Sequence, residues 1–198
     1  MTIPPCRAEP QLQCRHQLRR HPKRGFTALE LLVTIAILGI LTALAAPSFV
    51  PLMERWRTQQ VAEQLRSTIY FARSEAIKRG GNVVLQKLPN AGDCSFASGN
   101  DEWGCGWFVC VDSNSNGSCA ASEEVLQRYD TPGKVKVRRS TSGAGIKLNR
   151  WGLVEGKYPG FTIVPEGKNL SDPAARGICV SSGGRVRLVK AEDVPCNS

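Results

Sequence analysis

Past residue 25 this sequence contains no histidine, for its only two are His16 and His21. The commonest general base and the commonest metal ligand are therefore missing from the rest of the chain. No serine, cysteine or lysine has an evident base beside it in sequence, so nucleophilic catalysis has no support. The spacings Cys105 to Cys110 and Cys110 to Cys119 do not make paired Cys-x-x-Cys zinc knuckles. No internal repeat is visible. An enzyme is not expected, and neither is a cofactor.

Charge is scarce in one place. From Phe26 to Ala46 the sole ionisable residue is Glu30. About 20 apolar residues in a helix suffice to cross a bilayer core. The basic segment ending in Lys23-Arg24-Gly25 keeps its own side cytoplasmic by the positive-inside rule. Glu30 is costly in hydrocarbon and calls for a partner cation. Without the glutamate spacing, the same stretch would read as an ordinary signal anchor.

Elsewhere charge is abundant but uneven. The formal net charge is +9 over 198 residues, and removal of residues 1–25 leaves 20 basic against 16 acidic residues. Residues 82–127 hold Lys87 against six acids, while residues 128–198 hold 13 cations against six acids. The final third thus presents a basic surface.

The eight cysteines divide at the apolar run. Cys6 and Cys14 precede it and are read as free thiols, whereas Cys94, Cys105, Cys110, Cys119, Cys179 and Cys196 follow it on the oxidising side. Six cysteines allow 15 connectivities. Pairing by proximity in sequence joins Cys94 with Cys105, Cys110 with Cys119, and Cys179 with Cys196.

The pattern predicts four segments: a leader over 1–25, a transmembrane and assembly helix over 26–50, an amphipathic helix over 51–81, and a β-rich domain over 82–198. In the second helix Val61, Leu65, Ile69, Ala72 and Ala76 recur at helical spacing, and Gly80-Gly81 stops it. Strands are expected near 83–86, 107–111, 124–129, 135–139, 146–151, 161–164, 177–180 and 185–190. Trp103, Trp107 and Trp151 are expected in the core.

Two stretches invite chemistry. Asp112, Asn114, Asn116, Gly117 and Glu123 satisfy the pattern of a calcium loop, yet Asp, Asn and Gly equally suit a hairpin stapled by Cys110 and Cys119. The hairpin is the default and no metal is expected. In Gly183-Gly184-Arg185-Val186-Arg187, strand alternation puts Arg185 and Arg187 on one face, and the glycines leave room for a phosphate backbone. Lys134, Lys136 and Arg138 form a second cationic comb, expected near the first. Such a patch would bind nucleic acid without reading its sequence. A solvated edge strand that discourages sheet pairing has the same residues.

Gly25-Phe26-Thr27 with Glu30 and the apolar helix resembles the processing signal of type IV pilins and type II secretion pseudopilins. The stretch Ala72 to Arg79, the strand Gly106-Trp107-Phe108-Val109, the turn Asp112 to Gly117 and the segment Cys179 to Cys196 narrow the resemblance to the GspH/FimT family of minor pilins and pseudopilins. It implies an α+β pilin-like fold, a long N-terminal helix packed on a disulfide-stapled antiparallel β-domain. It also implies cleavage after Gly25 by a prepilin peptidase, methylation of Phe26, and pairing of Glu30 with the amine of a neighbouring subunit. The partners it implies are other pilins or pseudopilins, the inner membrane as a single-pass anchor with the C-terminal domain in the periplasm, and then an extracellular pilus or a periplasmic pseudopilus. Gly184-Arg185-x-Arg187 resembles the G-R-x-R signature of DNA-binding members that serve natural transformation, so double-stranded DNA is a candidate partner.

Overall fold

The structure, a computed structural model, describes residues 25–196, with the side chains of 45–48 outside the description. The expected leader lies outside those residues except for Gly25, as do Cys6 and Cys14. The described chain forms one helix, α1 (Ala28–Arg79), followed by eight strands: β1 (Val83–Lys87), β2 (Gly106–Val111), β3 (Val125–Asp130), β4 (Val135–Arg139), β5 (Gly145–Leu148), β6 (Gly160–Pro165), β7 (Arg176–Val180) and β8 (Val186–Val189). A single 3-10 turn, Ala191–Asp193, follows. Contacts divide the described chain into two compact units, one ending at Leu44 and the other beginning at Ala45.

In the first unit the helix begins at Ala28 because Thr27 caps it. The Glu30 amide donates to Thr27 Oγ1 at 3.2 Å, and the Leu31 amide donates to the Thr27 carbonyl at 3.1 Å. Thr27 and Glu30 therefore occupy the first and last positions of a capping-box spacing. Along this helix the side chains of Leu29, Leu38 and Ile40 stand exposed. Among the described residues no single helix is long and apolar enough by itself to cross a membrane. The segments Ala28–Leu44 and Phe49–Arg79 meet the length and composition only when taken together.

In the second unit, every apolar position of the expected stripe is buried: Val61, Leu65, Ile69, Ala72 and Ala76. Burial of each of the larger side chains, Val61, Leu65 and Ile69, contributes roughly 1.5–3 kcal/mol. The stripe packs into one core with Leu85, Val109, Leu148, Phe161, Ile163 and Ile178. Two buried hydroxyl contacts fix the helix: Trp107 Nε1 donates to Thr68 Oγ1 at 3.1 Å, and Thr58 Oγ1 donates to the Ala174 carbonyl at 2.6 Å.

The strands make two antiparallel sheets, ordered β3-β2-β1-β5 and β4-β6-β7-β8. Each strand lies where its alternation predicts, within two residues at most ends. The end of β5 differs more, because residues 149–152 form a turn in which the Asn149 side chain caps the amides of Trp151 and Leu153. That turn corrects one expectation: Trp151 is 71% exposed, whereas Trp103 and Trp107 are buried as expected. An asparagine-capped turn needs its backbone polar groups near water, and the indole goes out with it.

Among the described residues three disulfides join consecutive cysteines two by two, as expected: Cys94–Cys105, Cys110–Cys119 and Cys179–Cys196. The first closes the long excursion between β1 and β2. That excursion lies along the outer edge of β4, where the Trp103 amide donates to the Val137 carbonyl at 2.8 Å and the Arg139 amide to the Asp101 carbonyl at 2.7 Å. Lys87 holds it from beneath. Its Nζ donates to the Ala97 carbonyl at 2.5 Å and to the Gly99 carbonyl, and burial lowers its pKa.

Candidate nucleic-acid interface

The β7–β8 hairpin carries the arginine pair. Its turn is tight: the Gly184 amide donates to the Ser181 carbonyl at 2.8 Å, the Ser181 amide to the Arg185 carbonyl at 3.0 Å, and the Arg185 amide to Ser181 Oγ at 3.2 Å. Arg185 and Arg187 both stand exposed on one face, separated by buried Val186. Among the described residues neither has a carboxylate within ion-pair distance.

Gly184 serves this hairpin for a reason the sequence did not show. It is buried, with φ +75°, and a Cβ there would come within 2.5 Å of the Arg73 guanidinium. Arg73 Nη1 donates to the Gly184 carbonyl, and Arg73 Nε donates to the Gly152 carbonyl at 2.9 Å. The open face of Gly184 is thus filled by a helix side chain and offers no approach to a phosphate. Gly183 has open space beside it.

The second comb is not adjacent to the first. Lys134 precedes β4, Lys136 and Arg138 lie on it, and β4 and β8 are the opposite edges of one sheet. Three strand spacings put about 14 Å between those edges. The register Arg138↔Thr162, Thr162↔Gly177 and Gly177↔Val189 does place both combs on the same outward face. What separates them is the C-terminal segment from Lys190 to Cys196, which crosses β6 and β7. Ala191 packs with Val164 and Ala175, and a Cβ on Gly160 would meet Val194 at 2.9 Å.

Arg138 is also neutralised. Its Nε lies 3.1 Å from Asp101 Oδ2 and its Nη2 3.3 Å from Glu102 Oε1, both on the excursion that covers the β4 edge. The Gly99 amide, and then Arg138, hold the Glu102 carboxyl below its ordinary value. Lys134 and Lys136 remain exposed.

The loop with the calcium pattern spends its oxygens internally. Buried Asp112 accepts the amides of Asn116 at 2.9 Å and Gly117 at 2.8 Å, and its Oδ2 lies 3.9 Å from Lys147 Nζ. Asn114 and Asn116 accept amides two residues onward. Glu123 accepts the amides of Ala120 and Ser113, each at 2.8 Å, and its pKa is lowered chiefly by the Ala120 amide. Among the described residues no group of three His, Cys, Asp or Glu side chains is placed to hold a metal. The arrangement is that of a hydrogen-bonded hairpin tip.

At the other end of the chain, Gly25 and Phe26 lie exposed ahead of the helix, and Glu30 is exposed within its first turn.

Comparison with known proteins gives a consistent picture. Residues 61–184 match the family described as Type II transport protein GspH, and residues 20–46 match the prokaryotic N-terminal methylation motif. The pilin-like protein PilA1 of Thermus thermophilus is 35% identical over 177 residues, spanning 84% of this chain and 98% of that protein. The type IV major fimbrial protein FimA of Dichelobacter nodosus is 25% identical over 156 residues, 76% of this chain and 91% of that protein. Among solved structures, the type IV minor pilin FimU of Pseudomonas aeruginosa in space group P21 superposes with a TM-score of 0.52 at 20% identity. That superposition covers 71% of this chain and 94% of that one, and it speaks to the fold alone.

Proposed function

The chain belongs to the GspH family of pilin-like structural subunits, and on that premise we propose that it is a minor pilin or pseudopilin that enters a filament near its tip and binds DNA without regard to sequence. The observation that carries the DNA reading is the pair Arg185 and Arg187, side by side on an exposed hairpin face with no carboxylate in ion-pair distance among the described residues. Guanidinium groups fork onto phosphate oxygens, and binding of this kind weakens steeply with salt. In the proposed cycle a prepilin peptidase cuts after Gly25 and the helix anchors the subunit in the inner membrane with its β-domain in the periplasm. Glu30 then pairs with the Phe26 amine of a neighbour as the filament grows. Uptake of the bound DNA would serve natural transformation.

The test uses the full-length processed protein in detergent micelles and a fluorescent duplex oligonucleotide at low salt. The expected result is saturable binding that Arg185→Gln with Arg187→Gln weakens at least tenfold; binding that is absent or unaffected by the pair overturns the DNA reading. Mass spectrometry of the native protein is expected to find a methylated phenylalanine start at Phe26.

A second reading, an assembly primer with no nucleic-acid role, draws on the exposed apolar side chains of the first helical unit. Filament-wide apolar packing would account for them without any ligand. Loss of piliation or secretion on deletion, with DNA uptake intact in a piliated double mutant, favours it.

A further inference from the structure

Beside Arg187 the surface is concave. A cleft of about 580 Å³ opens between the β7–β8 hairpin, the loop before β6 and the end of β4. Arg187 and Lys157 supply two cations to its lining, Tyr158 a ring that is 41% exposed, and Ser140, Thr141, Ser181 and Ser182 aliphatic hydroxyls. Among the described residues no Asp or Glu lines it.

Three of these hydroxyls are oriented by what they already accept. Ser140 Oγ accepts the Gly160 amide at 2.9 Å, Thr141 Oγ1 accepts Arg139 Nε at 2.8 Å, and Ser181 Oγ accepts the Arg185 amide at 3.2 Å. Each oxygen is engaged by an N–H, and none of the three donates its own proton to another described residue. A hydroxyl in that state offers a donor. Two cations and three hydroxyl donors with no competing carboxylate form an anion site. The groove beside β4, of about 610 Å³, contrasts with it: Lys136 and Arg138 line that one together with Glu102. On its other flank Arg187 borders a shallower hollow with Glu192 and Asp193, which leaves the Lys157 side as the one that attracts phosphate.

The geometry points to this cleft as the seat of one phosphate group, gripped between Arg187 and Lys157, with the Tyr158 ring as a wall for the attached sugar or base. Resting on the DNA reading above, it makes Lys157 a phosphate contact that the strand pattern did not suggest, and it orients the strand across the hairpin toward the loop before β6.

The experiment is a salt titration of duplex affinity with the full-length protein in micelles, comparing wild type, Lys157→Gln, Arg187→Gln and the double variant. Lys157→Gln is expected to weaken binding about fivefold at low salt and to reduce the slope of log affinity against log salt by about one. Because both side chains grip one phosphate, the double variant is expected to lose less than the product of the two single losses. If Lys157→Gln changes neither affinity nor slope while Arg185→Gln with Arg187→Gln still weakens binding, the cleft assignment falls and the DNA reading stands. If wild type binds no DNA, that reading falls, and inorganic phosphate alone judges the cleft. Saturable shifts of the Ser181 and Arg187 amide signals that Lys157→Gln abolishes uphold it. Unmoved signals, or shifts that survive the substitution, overturn it.

Discussion

Arg73 donates from its guanidinium to the carbonyl of Gly184, 111 residues further along the chain. The same side chain reaches Gly152 and sits 5.9 Å from the centre of the Tyr70 ring. One helix residue therefore ties together the 149–152 turn and the hairpin that displays Arg185 and Arg187. The hairpin is positioned by the helix as well as by its neighbouring strand, so the proposed ligand contacts inherit the rigidity of the core.

Arg73→Met is expected to cost about 2 kcal/mol, the range for hydrogen bonds from a charged donor, read as a lower urea midpoint. Gly184→Ala should destabilise clearly, because φ +75° is strained for any residue with a Cβ, whereas Gly183→Ala, with open space beside it, should move the midpoint little. An unchanged midpoint in Arg73→Met would show that the clamp does not hold the hairpin.

The tryptophans should separate cleanly. Trp107→Ala removes a fully buried indole and its bond to Thr68 and is expected to cost about 3–5 kcal/mol. Trp151→Ala should fall within about 0.5 kcal/mol of wild type. Chemical denaturation of both variants checks this.

Replacing Cys179 and Cys196 by serine opens a loop whose ends are 17 residues apart. A loss of about 3 kcal/mol is expected. The bridge also tethers the segment across β6 and β7 and lines the Arg187 cleft, so DNA affinity should drop along with stability. A thermal melt and a binding titration on the same preparation test both parts.

Acid should unfold the β-domain from the hairpin tip. The Ala120 amide first, with Ser113 and Asn114, holds the Glu123 carboxyl below its ordinary 4.5. As pH falls past that value the unfolded chain takes up the proton before the folded one does. Stability is thus full above about pH 4.5 and declines as pH drops through the folded value. The thermal midpoint is expected to stay level from pH 7 to 5 and then fall, with a shallower fall in Glu123→Gln.

Calcium is expected to leave that midpoint unchanged at millimolar concentration. Both Asp112 oxygens and both Glu123 oxygens already accept hydrogen bonds within the loop. A calcium-dependent rise would show that the loop reorganises around the ion.

Sequence alone determined the parts governed by local rules. The helical stripe from Val61 to Ala76 and the alternation Lys134-Val135-Lys136-Val137-Arg138 follow from side-chain period, and each apolar position in them is buried. The three disulfides of the described chain join consecutive cysteines two by two, the most local of the connectivities open to six cysteines. Tertiary structure decided whatever depends on residues far apart. Strand alternation puts Lys136 and Arg187 on a face but is silent about strand order, and the order β4-β6-β7-β8 sends them to opposite edges. Gly184 reads as open space for a ligand until Arg73, 111 residues earlier in the chain, occupies it. Lys157 has no periodic partner and joins Arg187 only because β7 folds back beside β6. Periodicity acts over a few residues, whereas a binding cleft is made of surfaces that only packing brings together.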